Sequence, residues 1–211
     1  MNPGALRPYR LPTLLTQAVG LAARAPALAG VFVRRDLDPA LREAVMLGVA
    51  HANGCRYCAF VHGLWARKAG LAEADALAIE QGRFEALAPD LALAVRYGRA
   101  LADADFGSID QALFDQVDAR FGADRRAALE ATARFMTLAN RSGNTFDALL
   151  ARLHGQPLPG STLASDLAIG LPAAAVIPMA GTLLALGFGR TPWAFAREFA
   201  EFSSAFTAAR R

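Results

Sequence analysis

The chain has 211 residues, of which 54% are apolar and 19% are charged, so it can bury a core and is not intrinsically disordered. The net charge is +3, but acidic and basic residues alternate along the chain, which argues against a nucleic-acid-binding protein. The only two cysteines, Cys55 and Cys58, are too few and too close together for the disulfide framework of a small secreted protein.

Two apolar stretches resemble targeting or membrane segments. Residues 11–29 follow two arginines in the manner of a signal peptide, but polar residues interrupt them, so we expect no cleaved signal and a cytoplasmic protein. Residues 167–188 carry no charge and are long enough to span a bilayer. Because they contain Pro172 and Pro178, we expect no membrane span. We predict instead a pair of helices, broken near the prolines, that is buried or lies at a subunit interface.

The remaining pattern is helical throughout. Asp38 and Pro39 are a strong helix start, because the carboxylate can cap free amides and proline fits the first turn. No strand or repeat is indicated. The predicted helices in chain order are Thr13–Ala25, Pro26–Val33, 39–53, Cys55–Ala69, Glu73–Gln81, Pro89–Ala104, Gln111–Phe121, 124–153, the apolar pair, and a last helix from Pro192.

The sequence therefore predicts an all-α fold in two regions. Residues 1–155 form a helical core that carries the cysteines, and residues 156–211 form a C-terminal helical extension. The segment His154–Gly160 is rich in proline and glycine and links the two. We expect the extension to pack on the core or to lie at a subunit interface.

Four residues form the candidate catalytic site: Glu43, Cys55, Cys58 and His62. Helical spacing of three and four residues places both sulfurs and the imidazole on one face. A helix N-terminus favours thiolate over thiol, which makes a cysteine nucleophilic. Peroxide reduction needs such a thiolate, a proton donor and a second thiol. Glu43 lies in the helix before Asn53-Gly54, a pair that ends a helix. It therefore reaches the cysteines only if the helices before and after this break fold against each other.

Other residues near this motif have weaker functional signals. His51 and Tyr57 are possible neighbours of the site, whereas His154 fits a helix C-terminus, where it would interact with carbonyl groups. Zinc is disfavoured, because two histidines and two cysteines along one helical path cannot surround an ion tetrahedrally. Covalent haem attachment requires histidine where Ala59 stands. We therefore expect no metal and no other cofactor.

The pattern E-x11-C-x2-C-x3-H, filled by the four candidate residues, resembles the AhpD-like alkylhydroperoxidase family within the carboxymuconolactone decarboxylase superfamily. The segment Ala139–Asp147 is similar to a second helix of that family, so the resemblance covers roughly residues 25–155. It implies an AhpD-like helical fold with extra C-terminal helices here, and a homo-oligomer, whether dimer, trimer or hexamer.

The same resemblance implies roles for the site residues. Cys58 attacks a peroxide, Cys55 resolves it, and Glu43 with His62 relays protons, while a dithiol or a lipoylated protein acts as reductant. Tyr57 stands where the best-studied branch has a histidine, and a phenol is a poor base at neutral pH. The decarboxylase branch usually lacks the cysteine pair, which argues against that activity.

The leading hypothesis is thus a thiol-dependent peroxidase that reduces organic hydroperoxides or hydrogen peroxide. The alternative is a redox-responsive binding or regulatory protein that forms the Cys55–Cys58 disulfide with little catalysis. A membrane-associated helical protein that uses residues 167–188 is a third possibility. Arg56, Arg67 and Arg141 would favour acidic substrates if they lined the pocket.

Overall fold

The computed structural model describes residues 6–209, so the outermost residues of both predicted regions lie outside it. Within this range the chain is all-α, without a strand, which confirms the predicted fold class. The helices are α1 (Leu11–Ala22), α2 (Ala25–Ala29, continued by a π-helical turn, Gly30–Arg34), α3 (Pro39–Asn53), α4 (Arg56–Lys68), α5 (Glu73–Gln81), α6 (Pro89–Asp103), α7 (Gln111–Leu153), α8 (Leu163–Ser165, continued by a π-helical turn, Asp166–Gly170), α9 (Leu171–Gly187) and α10 (Pro192–Ala208).

Local sequence signals account for most helix ends. The Asp38 carboxylate accepts hydrogen bonds from the amides of Ala40 and Leu41, and Pro39 occupies the first turn of α3, as predicted. Helix α7 consists of two helical segments that meet at a kink at Gly122, whose dihedral angles of φ 76° and ψ 165° are non-helical, which confirms the predicted break at this glycine. A short 3₁₀ turn, Phe84–Ala86, connects α5 to α6.

Helix α3 is the centre of the core. Every residue from Glu43 to Asn53 is buried, and α3 packs against α4, α6 and α7. Helices α3 and α6 cross closely because each contributes a glycine. A Cβ on Gly48 would lie 2.7 Å from a Val95 methyl group, and one on Gly98 would lie 2.8 Å from a Val45 methyl group.

The prediction that residues 167–188 form two helices broken near the prolines is wrong, and so is the alternative that they are buried within their own chain, whereas the predicted subunit interface stays a prediction. The helix runs continuously from Leu163 to Gly187, and only 11% of its most apolar window is buried. Pro172 lies in the first turn of α9, directly after the π-helical turn, where its missing N–H costs little. Pro178 lies inside α9 and removes one backbone hydrogen bond, which the alanine-rich helix tolerates without breaking.

Helix Leu163–Gly187 is long and apolar enough to cross a membrane, with a mean hydropathy of 1.9. Helix α1 and the segment Ala25–Arg34 pass the same test only when taken together, and they are bent by 68°. Length and composition are the sole basis of both assignments.

Helix α10 packs on α4 through its aromatic side chains. Phe60 of α4 has ring contacts with three phenylalanines of α10 at centroid distances of 5.1, 5.5 and 5.4 Å, namely Phe195, Phe199 and Phe202. The C-terminal helix therefore covers the part of α4 that carries the cysteine motif.

Candidate active site

A sharp turn between α3 and α4 creates the site. Gly54 adopts a left-handed conformation (φ 71°) and caps α3, which suits glycine because it has no Cβ. The chain then reverses, and α4 packs along α3. Cys55 is the N-cap residue of α4, and its sulfur accepts a hydrogen bond from the Cys58 amide at 3.4 Å.

The two cysteines are reduced and adjacent, with Sγ atoms 2.9 Å apart. Cys55 is buried, whereas Cys58 is partly exposed. Burial raises the pKa of the Cys55 thiol well above its usual range, and its hydrogen bond with Cys58 adds to this effect. Cys55 thus stays protonated and can donate its S–H to the Cys58 sulfur.

Glu43 and His62 form a hydrogen-bonded pair across the two helices. His62 Nδ1 lies 2.8 Å from Glu43 Oε2. The other carboxylate oxygen, Oε1, accepts from Arg42 Nε at 3.0 Å and from Arg42 Nη2 at 2.8 Å. Arg42 therefore fixes the orientation of the carboxylate that contacts the imidazole, and sequence reasoning did not identify it.

The charge state of Glu43 determines the tautomer of His62. Burial alone raises the pKa of Glu43, but the hydrogen bonds and positive charges of His62 and Arg42 outweigh it, so the pKa lies below its usual value. An ionised carboxylate only accepts hydrogen bonds, so His62 Nδ1 carries the proton of the shared bond. When His62 is neutral, its Nε2 is therefore the basic nitrogen.

Tyr57 takes part in a different network on the other side of the cysteines, which we call the clamp: Arg56, Tyr57, Asp147 and Ser203. Asp147 Oδ1 accepts from Tyr57 Oη and from Arg56 Nη2, both at 2.6 Å. Arg56 Nη1 donates to Ser203 Oγ at 3.0 Å. The clamp joins the start of α4 to α7 and α10.

The clamp removes Tyr57 from acid–base chemistry at neutral pH. Burial raises the pKa of the Tyr57 phenol far above its ordinary value, and the adjacent Asp147 carboxylate raises it further. Tyr57 also stacks on Phe199 with ring centroids 5.3 Å apart. It is therefore a neutral hydrogen-bond donor with a positioning role.

Aromatic side chains of α10 form an apolar wall beside Cys58. Cys58 packs in a small cluster with Ala50, Ala59, Phe202 and Phe206. The ring of His51 is buried and meets Phe206 edge-on at 5.2 Å. His51 thus lies in the packed interior of the protein, in contact with Phe206 of α10.

A buried amide network lies beneath the turn that carries Cys55. Asn53 Nδ2 donates to Thr137 Oγ1 at 3.1 Å and to Asn140 Oδ1 at 3.2 Å. Asn144 Nδ2 donates to the Asn53 carbonyl at 2.7 Å. These bonds attach the turn between α3 and α4 to α7. They bring the segment Ala139–Asp147 of α7 close to the cysteines.

Gly143, in the same part of α7, lies against Cys55. A Cβ at this position would lie 3.1 Å from Cys55 Sγ and 3.4 Å from the Tyr57 ring. A side chain at residue 143 would therefore press on Cys55.

The three arginines considered for acidic substrates all have carboxylate partners. Arg56 pairs with Asp147, Arg67 with Glu73 and Glu80, and Arg141 with Asp105.

His154 Nδ1 lies 2.7 Å from the Leu150 carbonyl oxygen, which confirms its predicted position at a helix C-terminus. Among residues 6–209, no group of three or more His, Cys, Asp or Glu side chains is arranged to hold a metal ion.

These observations define a class: an all-helical protein with a dithiol at a helix N-terminus and a carboxylate–imidazole pair beside it. Residues 20–100 match the model of the Carboxymuconolactone decarboxylase family, the superfamily of the AhpD-like proteins, which confirms the resemblance. The matched segment contains Glu43, Cys55, Cys58 and His62, whereas Asp147 lies outside it. Neither the curated proteins nor the solved structures include a match to this chain.

Proposed function

We propose that the protein is a thiol-dependent peroxidase in which Cys58 attacks the peroxide and Cys55 resolves the product. The observation that carries this proposal is the asymmetry of the cysteine pair. The sulfurs are 2.9 Å apart, yet one thiol is buried with a raised pKa and the other is partly exposed.

In the first step the Cys58 thiolate attacks one oxygen of the O–O bond. Cys58 is the third residue of α4, where the helix dipole favours negative charge, and His62 lies one turn further along the same face. His62 Nε2 accepts the Cys58 proton, directly or through water, and returns it to the departing alkoxide. The products are a Cys58 sulfenic acid and an alcohol.

In the second step the Cys55 sulfur attacks the sulfenic sulfur. A disulfide forms, the hydroxyl group leaves with the Cys55 proton, and water is released. The pair has then lost two electrons, the two that reduced the peroxide. An external dithiol restores both thiols by exchange, and the sequence supports this reductant class only through the family resemblance.

The wall beside Cys58 favours organic hydroperoxides over hydrogen peroxide. Phe202 packs in the same cluster as Cys58 and is partly exposed, so it offers aromatic surface near the attacking sulfur for an alkyl or aryl group of the substrate, which hydrogen peroxide lacks. Each of the three arginines considered above is paired with a carboxylate, so an uncharged apolar substrate fits better than an acidic one.

The test is steady-state consumption of cumene hydroperoxide with dithiothreitol by the full chain. We expect Cys58→Ser to abolish turnover, because the nucleophile is gone. We expect Cys55→Ser to retain one rapid oxidation to a sulfenic acid, trapped with dimedone at Cys58, without disulfide formation.

Other outcomes favour other functions. Clean, reversible formation of the disulfide with turnover no faster than in the serine variants would support a redox-responsive regulatory protein. Dimedone labelling at Cys55 in the intact protein would reverse the roles of the two cysteines.

A further inference from the structure

Helix α9 carries a row of exposed apolar side chains that the peroxidase proposal does not use. We call it the α9 seam: Leu171, Val176, Met179, Leu183 and Leu186, each between 52% and 63% exposed. From residue 176 onward the members are spaced three, four and three residues apart. This is the spacing at which one helix packs its seam against another helix.

The chemistry of the seam suits a second copy of itself. Residues 167–189 contain no charged side chain, so two such surfaces meet without repulsion or burial of an unpaired charge. Three further exposed side chains lie in sequence beyond the two ends of the seam: Leu163 (56%), Leu167 (42%) and Trp193 (81%). Exposed apolar surface of this extent is typical of an interface.

The ends of α9 are held by the same core, which weighs against a transmembrane position. Arg152 pairs with Asp166 at 2.8 Å before the helix, and Lys68 donates to the Gly187 carbonyl at 3.3 Å after it. Arg56 binds both Asp147 of α7 and Ser203 of α10. A helix crossing a bilayer would separate α7 and α10 onto opposite sides and break these bonds.

We propose that α9 is a dimerisation element, whose seam packs against the α9 seam of a second copy of this chain about a twofold axis. A twofold contact requires a surface that complements itself, and an uncharged row with alternating spacing of three and four residues meets that requirement. The opposite side of α9, which includes the buried Ala185, packs on its own chain.

The first experiment measures molecular mass by light scattering over a range of concentrations in buffer without detergent. We expect the full chain to be a dimer or a higher oligomer built on it. Met179→Glu and Leu183→Glu should each shift the mass to half that of the wild-type assembly, because a twofold contact brings two like charges together. Val33→Glu, at a 78% exposed valine outside α9, is the matched control and should leave the mass unchanged.

Circular dichroism of each glutamate variant checks that the monomer is folded. A second measurement does not depend on disruption: single cysteines are placed along α9 in a Cys55→Ser/Cys58→Ser background and oxidised. Cross-linked dimers should form at residues 179 and 183 and not at Ala174 or Ala180.

A wild-type monomer at all concentrations, or glutamate variants with unchanged mass, would overturn the proposal. Co-sedimentation of a monomer with phosphatidylcholine vesicles, lost in Leu183→Glu, would assign the seam to lipid instead. All of these readouts are independent of peroxide turnover.

Discussion

The two sides of the cysteine pair are built differently. On one side Glu43 and His62 form a short network that leaves the imidazole partly exposed, with 18% of its side chain accessible. On the other side Asp147 binds Tyr57 and Arg56 and is itself only 10% exposed. The first network leaves the His62 Nε2 atom available for chemistry. In the second network the polar groups hydrogen-bond to one another and join three helices.

This difference separates a polar residue that is free to move a proton from one whose hydrogen bonds are already used. Tyr57 precedes Cys58 directly, yet its hydroxyl is bound to Asp147 and its pKa is raised by burial. Substitutions on the Glu43 side should therefore reduce the rate more than the stability, and substitutions in the clamp should do the reverse. The predictions below test this division.

The largest expected effect is on catalysis. His62→Gln removes the group that we propose to move the proton, so kcat/KM for cumene hydroperoxide should fall by about 10²- to 10⁴-fold, while the unfolding midpoint changes little. His154→Gln is the matched control, because this histidine contacts only a helix carbonyl in the bonds described. Retention of most of the activity by His62→Gln would exclude the imidazole from proton transfer.

The second prediction concerns stability. Asp147→Asn removes the charge that Arg56 and Tyr57 share, and charge-assisted hydrogen bonds of this kind contribute about 2 kcal/mol. The free energy of unfolding, measured in urea, should decrease by about that amount, and kcat/KM should fall less than in His62→Gln. Asp90→Asn breaks an exposed pair with Arg120 and should leave the midpoint unchanged. If Asp147→Asn instead loses activity with full stability, Asp147 acts in the chemistry.

The third prediction separates attack from resolution. Gly143→Ala places a methyl group 3.1 Å from Cys55 Sγ, so Cys55 should reach the Cys58 sulfenic acid more slowly. At high peroxide, mass spectrometry should then detect several-fold more sulfinic acid at Cys58 than in the wild type. Gly181→Ala, at a helical glycine with open space around it, should match the wild type. Equal over-oxidation in both variants would show that residue 143 does not affect resolution.

The sequence predicted elements that depend on local signals. The Asp38 cap, the turn at Gly54 and the spacing of Cys55, Cys58 and His62 are properties of neighbouring residues, and helical geometry converts them into positions. Arg42 and Asp147 were missed for different reasons. Arg42 looks like any surface arginine on a helix until its contact with Glu43 is seen, and Asp147 lies 90 residues from Tyr57 in the chain.

The apolar segment 167–188 shows a further limit of local signals. Its prolines suggested a broken helix, but the π-helical turn before Pro172 and the tolerance of one missing hydrogen bond at Pro178 keep it continuous. Hydrophobicity alone did not indicate whether this segment is buried within its own chain, because α9 and α10 are both apolar and only α10 packs its aromatic face on α4.

The smallest expected effect tests whether the Glu43 side also contributes to stability. The folded-state pKa of Glu43 is lowered, so ionised Glu43 stabilises the fold at pH values above its unfolded-state pKa of about 4.3. This contribution disappears as the pH falls through the lower, folded-state pKa. Glu43→Gln should therefore cost about 1 kcal/mol at pH 7, and the cost should shrink below about pH 4.

Arg42→Gln provides the comparison for this pH dependence. It removes one of the two partners that lower the pKa of Glu43, so the acid-dependent part of the stability should be smaller than in the wild type and larger than in Glu43→Gln. Urea unfolding between pH 3 and pH 7 measures all three proteins. A cost of Glu43→Gln that stays constant with pH would mean that its carboxylate contributes through packing rather than charge, and the two sides of the cysteine pair would then differ less than their hydrogen bonds indicate.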